Sequence, residues 1–217
     1  TIHVVGSPAI DGIGDIAPMS DAESRALGNP RGVLLLHPSG LADERERAIA
    51  RETASSLGGV LGSRVLWLAP NLDPGRGVLI EEVRAIAEDR GWTQLDHLPR
   101  AVFVSLLKRL SCSQQGTRGV LIGNSSAGLI EAAALGVPTI NVGPRQNGRE
   151  RAGNIADVPE HKLSTLTGTL RASLDPHHGD ASWSHPYGDG HSGEKIAAIL
   201  AEPSPGVDNL VRKRCTY

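Results

Sequence analysis

Ser125 and Ser126 follow a short apolar run, Val120 to Ile122, and Gly123-Asn124, and a helix-forming run, Ala127 to Leu135, comes next. Two hydroxyls beside the unpaired backbone N–H groups of a first helical turn suit an anion, because the helix dipole is positive there. Capping alone is the alternative for these serines, since Ser is a preferred N-cap. Gly136 and Pro138 stop the helical run, and a second apolar run, Thr139 to Val142, opens into Gly143-Pro144-Arg145-Gln146-Asn147-Gly148-Arg149-Glu150-Arg151. A guanidinium directly after a strand can hold phosphate oxygens in bidentate fashion, which makes Arg145 a phosphate candidate. Arg149 and Arg151 are further cations of the same loop, and Asn154 is placed to orient it. Strand, polar turn, helix and strand make one βαβ unit whose two loops could grip a nucleotide diphosphate.

Other side chains fit that chemistry. Glu131 lies about one turn into an otherwise apolar helical run. Its two acceptor oxygens match the two donors of a ribose diol, with a solvated surface glutamate as the alternative. His37 ends an apolar run just before Pro38. It could donate a hydrogen bond to a departing diphosphate and, if protonated, offset its charge; a core or capping histidine is the other reading. Asn71 stands at a similar strand end. His177, His178, His185 and His191 invite a metal reading but lack ligand spacing, so a solvated loop is expected and no metal is assigned. No Walker A, HExxH, GxSxG or CxxC element is present. Gly12-Ile-Gly14 fits a dinucleotide fingerprint only loosely and reads as a turn.

The elements that must position these groups follow from periodicity. Ile2 to Val5, Gly32 to Leu36, Arg64 to Leu68, Thr93 to Leu95, Val120 to Ile122 and Thr139 to Val142 read as strands. Ala42 to Leu57, Val78 to Arg90, Ala101 to Leu110, Ala127 to Leu135, Val158 to Ala172 and residues 192–201 read as helices. Short apolar strands alternating with helices predict an α/β fold, a parallel sheet with helices on both faces. Ligands of such sheets bind at the carboxyl ends of the strands. The polar groups there are His37-Pro38-Ser39, Asn71-Leu72-Asp73, Gly123 to Ser126 and Gly143 to Arg149, and their clustering favours a site.

The 217 residues suffice for one large domain, and the 39% hydrophobic content can form a core. The net charge of −2 carries no basic excess that would suggest nucleic acid. No apolar run approaches the ~18 residues of a membrane span, and no signal-peptide pattern opens the chain. Cys112 and Cys215 form no metal or redox spacing, so a reducing, cytoplasmic setting is expected. The sequon at Asn124 sits inside the proposed buried turn and is not expected to carry a glycan. The chain begins at Thr1, close to a strand signal, and a preceding segment is expected.

Gly123-Asn-Ser-Ser-Ala-Gly-Leu-Ile-Glu-Ala, Leu135-Gly-Val-Pro-Thr-Ile-Asn-Val-Gly143, Arg145-Gln-Asn-Gly-Arg149 and Asn154 resemble the UDP-N-acetylglucosamine 2-epimerases. Val5 to Asp11, His37-Pro38, Pro70 to Gly75 and Tyr187-Gly-Asp-Gly190 match further stretches of that family in order, although Ser39-Gly40 departs from the pattern that usually follows His-Pro. The Arg-Gln-x-Gly-Arg motif points to the hydrolysing branch, which makes N-acetylmannosamine and UDP on the route to sialic acid and related sugars. The resemblance implies a Rossmann-like domain, the C-terminal half of a glycosyltransferase-B-like enzyme with substrate between two domains. Residues 1–217 would be that single UDP-binding domain, with 1–30 as a joint to an N-terminal domain that this chain lacks and 192–217 as a C-terminal helix and tail.

The resemblance further implies that Ser125, Ser126 and Arg145 contact the diphosphate, Glu131 the ribose and Leu98 the uracil, with His37 and Asn71 beside the nucleotide. His37 would be the leaving-group contact, and the acid/base carboxylates would lie in the other half, leaving this chain alone inactive. The implied chemistry eliminates UDP across C1–C2 and then hydrates the product, with no metal or other cofactor. UDP-N-acetylglucosamine and UDP, the missing domain and a homo-oligomeric assembly are the expected partners, with no nucleic acid and no membrane. A nucleotide-sugar glycosyltransferase and a non-catalytic nucleotide-binding module remain the alternatives.

Overall fold

The computed structural model describes residues 2–111, 118–175 and 183–202. Six short strands form one wholly parallel sheet: β1 (Gly32–Leu35), β2 (Val65–Leu68), β3 (Thr93–Leu95), β4 (Val120–Gly123), β5 (Thr139–Val142) and β6 (Ile155–Val158). Their order across the sheet is β3-β2-β1-β4-β5-β6. The chain therefore starts in the middle, winds outward through β2 and β3, and returns to place β4 against β1. Helices around the sheet are α1 (Asp21–Ala26), α2 (Asp43–Leu61), α3 (Arg76–Asp89), α4 (Arg100–Ser111), α5 (Ser126–Leu129), α6 (Glu131–Ala134), α7 (Leu166–Leu174) and α8 (Ser192–Ala201). A doubly wound sheet of this order has its topological switch point between β1 and β4, where the loops leaving the carboxyl ends diverge and a ligand crevice opens.

Strand composition explains the layering. β2, β4 and β5 are buried at every residue, so their side chains serve both faces. Leu34, Trp67, Ile122 and Ile140 pack on one face with Ile49, Leu57, Leu79, Val83 and Leu170, from α2, α3 and α7. Val33, Leu66 and Leu121 pack on the other with Leu106, Leu107, Leu110 and Ala132, from α4 and α6. In α2, Ile49, Thr53, Leu57 and Leu61 recur every fourth residue and are buried, while Asp43, Glu44 and Glu46 sit in its first turn, where the dipole favours them. No described helix is long and apolar enough to cross a membrane.

Three sequence expectations are corrected. Ile2 to Val5 is not a strand: Ile2 and Val4 are 94% and 95% exposed, and the segment is held by Ser7 N–H donating to the Tyr187 carbonyl at 2.9 Å. Val158 does not open a helix: Ile155 to Val158, unassigned from sequence up to residue 157, is a strand paired with β5, and the helix expected from Val158 to Ala172 is α7, preceded by a 3-10 turn, Glu160–Thr165. Pro159 separates the two because it has no N–H to continue the ladder. The run from Ala127 to Leu135 is not one helix. It breaks at Ile130 (φ −101°, ψ −72°) into α5 and α6. Asn154 Nδ2 donates to the Gly128 carbonyl at 3.2 Å, occupying the acceptor that a continuous helix would offer to residue 132. The Gly12 region is a turn, as expected, flanked by 3-10 turns Pro8–Ile10 and Ile13–Asp15.

Helix α8 leans on one carboxylate. Asp11 Oδ1 accepts from Ser192 N–H at 2.9 Å, and Oδ2 accepts from Ser192 Oγ at 2.8 Å and Gly193 N–H at 2.7 Å. Apart from Ser192, no residue of α8 is buried. The Gly193 and Ser192 N–H groups hold the Asp11 carboxyl below its ordinary range. A lowered carboxylate pKa stabilises above the unfolded value and is lost as pH falls through the folded one. Replacing Asp11 by Ala is therefore expected to speed amide exchange throughout α8 while leaving the sheet protected, and acidification of the native chain should do the same.

Candidate functional site

Four loops meet at the carboxyl ends of β1, β2, β4 and β5, and Asn124, in the loop after β4, ties to those after β1 and β5. It directly follows β4 and is 1% exposed. Its Oδ1 accepts from His37 N–H at 2.7 Å, and its Nδ2 donates to the His37 carbonyl at 2.8 Å and to Ser39 Oγ at 3.1 Å. Its own carbonyl accepts from Arg145 Nη1 at 3.1 Å and Gln146 Nε2 at 2.7 Å. The loop after β2 joins through Asn71, whose N–H donates to His37 Nδ1 at 3.1 Å. Asn71 Nδ2 donates to Asp73 Oδ2 at 2.5 Å, and that oxygen lies 3.9 Å from Arg145 Nη2. His37, Asn71 and Arg145, chosen from sequence, thus share one crevice, and Asp73 adds a carboxylate at its rim.

The hydrogen bonds decide the state of His37. With Nδ1 as acceptor, the neutral ring carries its proton on Nε2 and offers a donor there. Burial, with the Arg145 charge adding to it and Asp73 opposing, lowers the His37 pKa from its ordinary 6.5 to about 4. The protonated form considered from sequence is therefore corrected: at neutral pH His37 contributes a hydrogen-bond donor and no charge. Because the unfolded chain takes up this proton first, the contribution to stability is complete above pH 6.5 and declines as pH falls toward about 4. An NMR titration should find His37 neutral through pH 5; a midpoint near the ordinary value would contradict this geometry.

Ser125 is the N-cap of α5, and its Oγ accepts from Ala127 N–H at 3.4 Å. Ser126 opens α5 and is half-buried. Both lie beside Asn124, so the serine turn adjoins the Arg145 guanidinium. Glu131 stands at the break between α5 and α6 and faces a different neighbour. Burial raises its carboxyl pKa, and the Arg100 charge opposes that shift. Arg100 itself donates from Nη2 to the carbonyls of Ala9 and Asp11 at 2.8 and 3.0 Å. Leu98, two residues before Arg100, packs on the core under α4. The candidates therefore form two groups: His37, Asn71, Ser125, Ser126 and Arg145 at the switch point, and Glu131 with Leu98 on the α4 side.

Two other sequence candidates have structural partners. Arg151 pairs with Asp157 at 2.9 Å and donates from Nη1 to the Gln146 and Arg149 carbonyls, so it braces the loop. Asn154 is 4% exposed and donates to the Gly128 and Val137 carbonyls; it is a strut between α5 and β5 and does not orient the arginine loop. Arg149 is exposed. Asn124 and Gln146, both 1% exposed, had no role assigned from sequence. Asn124 stood among the polar residues after a strand end, and Gln146 in the motif that begins at Arg145. Among the described residues no group of three or more His, Cys, Asp or Glu could hold a metal. His185 stacks on Tyr187 at 6.0 Å, His191 lies 3.5 Å from Glu194, and His177, His178, Cys112 and Cys215 fall outside the described residues.

Comparison with known proteins agrees with this architecture. The chain is 33% identical over 137 residues to a Legionella pneumophila protein named UDP-N,N'-diacetylbacillosamine 2-epimerase (hydrolyzing), an alignment covering 63% of this chain and 33% of that one. It is 27% identical over 158 residues to the UDP-N-acetylglucosamine 2-epimerase of Neisseria meningitidis, covering 71% of this chain and 39% of the relative. The chain thus spans about a third of the length of the curated relatives it matches. Its fold is similar to the Methanocaldococcus jannaschii UDP-GlcNAc 2-epimerase solved with UDP-GlcNAc and UDP, with a TM-score of 0.65 at 20% identity over 92% of this chain and 54% of that one. A Neisseria meningitidis UDP-GlcNAc 2-epimerase bound to UDP-GlcNAc gives a TM-score of 0.66 at 16% identity, over 91% and 54%. The sequence model of UDP-N-acetylglucosamine 2-epimerase matches residues 1–201, nearly the whole chain, and the protein belongs to that family.

Proposed function

We propose that this chain is the UDP-binding half of a UDP-N-acetylglucosamine 2-epimerase of the hydrolysing type. The observation that carries the reading is the convergence of the His37 Nε2 donor, the Ser125–Ser126 turn and Arg145 at the switch point, all tied to Asn124. Neutral and charged donors at one crevice suit a diphosphate, and a parallel sheet places such a ligand there. The Legionella relative's name supports the hydrolysing chemistry.

The reaction begins when a base removes the C2 proton of the sugar. The C2–H electrons form a C1–C2 double bond, and the C1–O bond breaks with its electrons going to UDP. Negative charge grows on the departing diphosphate. Donors already aimed at that position stabilise the charge without reorganising. In this half, Arg145 offers its guanidinium, His37 its Nε2–H and the serine turn its hydroxyls. Water then adds across the double bond of the 2-acetamidoglucal, with inversion at C2, to give N-acetylmannosamine. Glu131 holds the ribose: a diol donating two hydrogen bonds restores solvation that burial removes from its carboxyl. Asn71 Oδ1, buried without a partner among the described residues, offers a further acceptor for a ligand hydroxyl. The base and its proton chemistry belong to a second domain, so this chain alone is inactive.

The test is turnover by the full-length protein. Given UDP-N-acetylglucosamine in H2-18O, it should release UDP and N-acetylmannosamine with the label at C1. Release of neither product would sink the reading. Conversion of UDP-N,N'-diacetylbacillosamine alone would keep the chemistry and change the sugar.

A further inference from the structure

We propose that Asn124 is the positioning residue that joins the two principal diphosphate ligands, His37 and Arg145, into one rigid unit. The inference rests on the UDP-binding reading of the crevice. β1 and β4 pair in register from Gly32↔Val120 to Leu35↔Gly123, and the backbone ladder ends with Asn124 N–H donating to the Leu35 carbonyl at 3.2 Å. Past that point the Asn124 side chain carries the pairing on. Its carboxamide takes the His37 N–H and gives to the His37 carbonyl, as a neighbouring strand would. His37 therefore has its backbone fixed by Asn124 and its ring fixed by the Asn71 N–H. On its other side, Asn124 receives the guanidinium of Arg145 on its own carbonyl, with Gln146 beside it.

Every polar atom of Asn124 is used, and every bond but one reaches a loop of the crevice. A residue that merely satisfied the core would not need this distribution. Asn is required by the pattern of donors. Asp keeps an acceptor for the His37 N–H but sets an oxygen against the His37 carbonyl; Ser and Ala supply neither half of the clamp. Asn124 touches no reacting atom in this scheme. It acts through His37 and Arg145.

The experiment uses this chain with UDP and uridine as probes, read by calorimetry, and the His37 ring read by NMR without nucleotide. Asn124→Ala is expected to weaken UDP binding about tenfold or more, because the two side-chain hydrogen bonds that clamp His37 and the one to Ser39 are lost, while the backbone carbonyl that holds Arg145 remains. Uridine, which lacks the diphosphate, should bind as it does to the wild type. The His37 titration should move up toward 6.5, as water reaches a ring no longer clamped. Should Asn124→Ala fail to fold, Asn124→Asp keeps the shape and the acceptor, and the same two readouts apply. Unchanged UDP affinity with an unchanged His37 titration in a folded variant overturns the proposal. Equal losses for UDP and uridine also overturn it, because they report general damage. Failure of the wild type to bind UDP sinks the functional reading instead, while the His37 titration still decides whether Asn124 positions that ring.

Discussion

Replacing Arg145 by Ala is expected to weaken UDP binding by about a hundredfold, the largest loss for any single side chain of the crevice. Arg145 is a cation anchored at the switch point: Nη1 is fixed on the Asn124 carbonyl and the side chain is 27% exposed, so it is partly desolvated before ligand arrives. A partly buried charged donor to a phosphate loses more on truncation than a neutral one. Arg145→Lys should recover only part of the affinity, since an ammonium cannot hold the carbonyl and two phosphate oxygens in one plane. Calorimetry with UDP measures both. The neighbouring Asp73 carboxylate works in the opposite sense, and Asp73→Asn should tighten binding by removing a like charge near the diphosphate. An Arg145→Ala variant that binds UDP as the wild type does would place the diphosphate elsewhere.

Gly123→Ala should destabilise the domain by about 3 kcal/mol or more, lowering the melting temperature by about 6–12 °C. Gly123 ends β4 with φ +140°, a conformation that side chains rarely adopt. The central strands also meet here with no room to spare. A Cβ on Gly123 would lie 2.1 Å from the Leu35 carbonyl oxygen and 2.5 Å from its carbon. These are backbone atoms of Leu35, the last residue of β1, which pairs with Gly123, and they cannot yield without opening the β1–β4 ladder. Thermal melts followed by circular dichroism check the size of the effect. A variant that melts with the wild type would contradict the close approach. The same displacement would move Asn124 away from His37, so any folded fraction should also bind UDP weakly.

The βαβ unit around the serine turn was legible because its signals are local. Apolar runs of strand length, a glycine and a proline placed the ends of β4 and β5 within a residue. What was misread depends on contacts distant in sequence. Ile155 to Val158 went unread as a strand, and Val158 was given to a helix, because nothing in those four residues reveals that β5 still needs a partner. The break at Ile130 follows from Asn154, 26 residues beyond the Gly128 carbonyl it binds. The site shows the same division. Arg145 and the serines stood out by type and position. The neutral state of His37 is set by an N–H from residue 71 and by burial, and neither is written near residue 37. Asn124 drew notice only as a sequon and as one polar residue of the strand-end turn, with no role of its own, yet at 1% exposure it links the β1 and β5 loops of the crevice.

The central claim, that the carboxyl ends of β1, β4 and β5 form a diphosphate grip, is tested most directly by titrating this chain with UDP and following its backbone amides by NMR. Saturable binding is expected at about 1 mM or below, with the largest shifts at His37, Asn124 to Ser126 and Arg145, and weaker binding of uridine that spares these residues. Absence of shifts at millimolar UDP, or shifts confined to other surfaces, would contradict it.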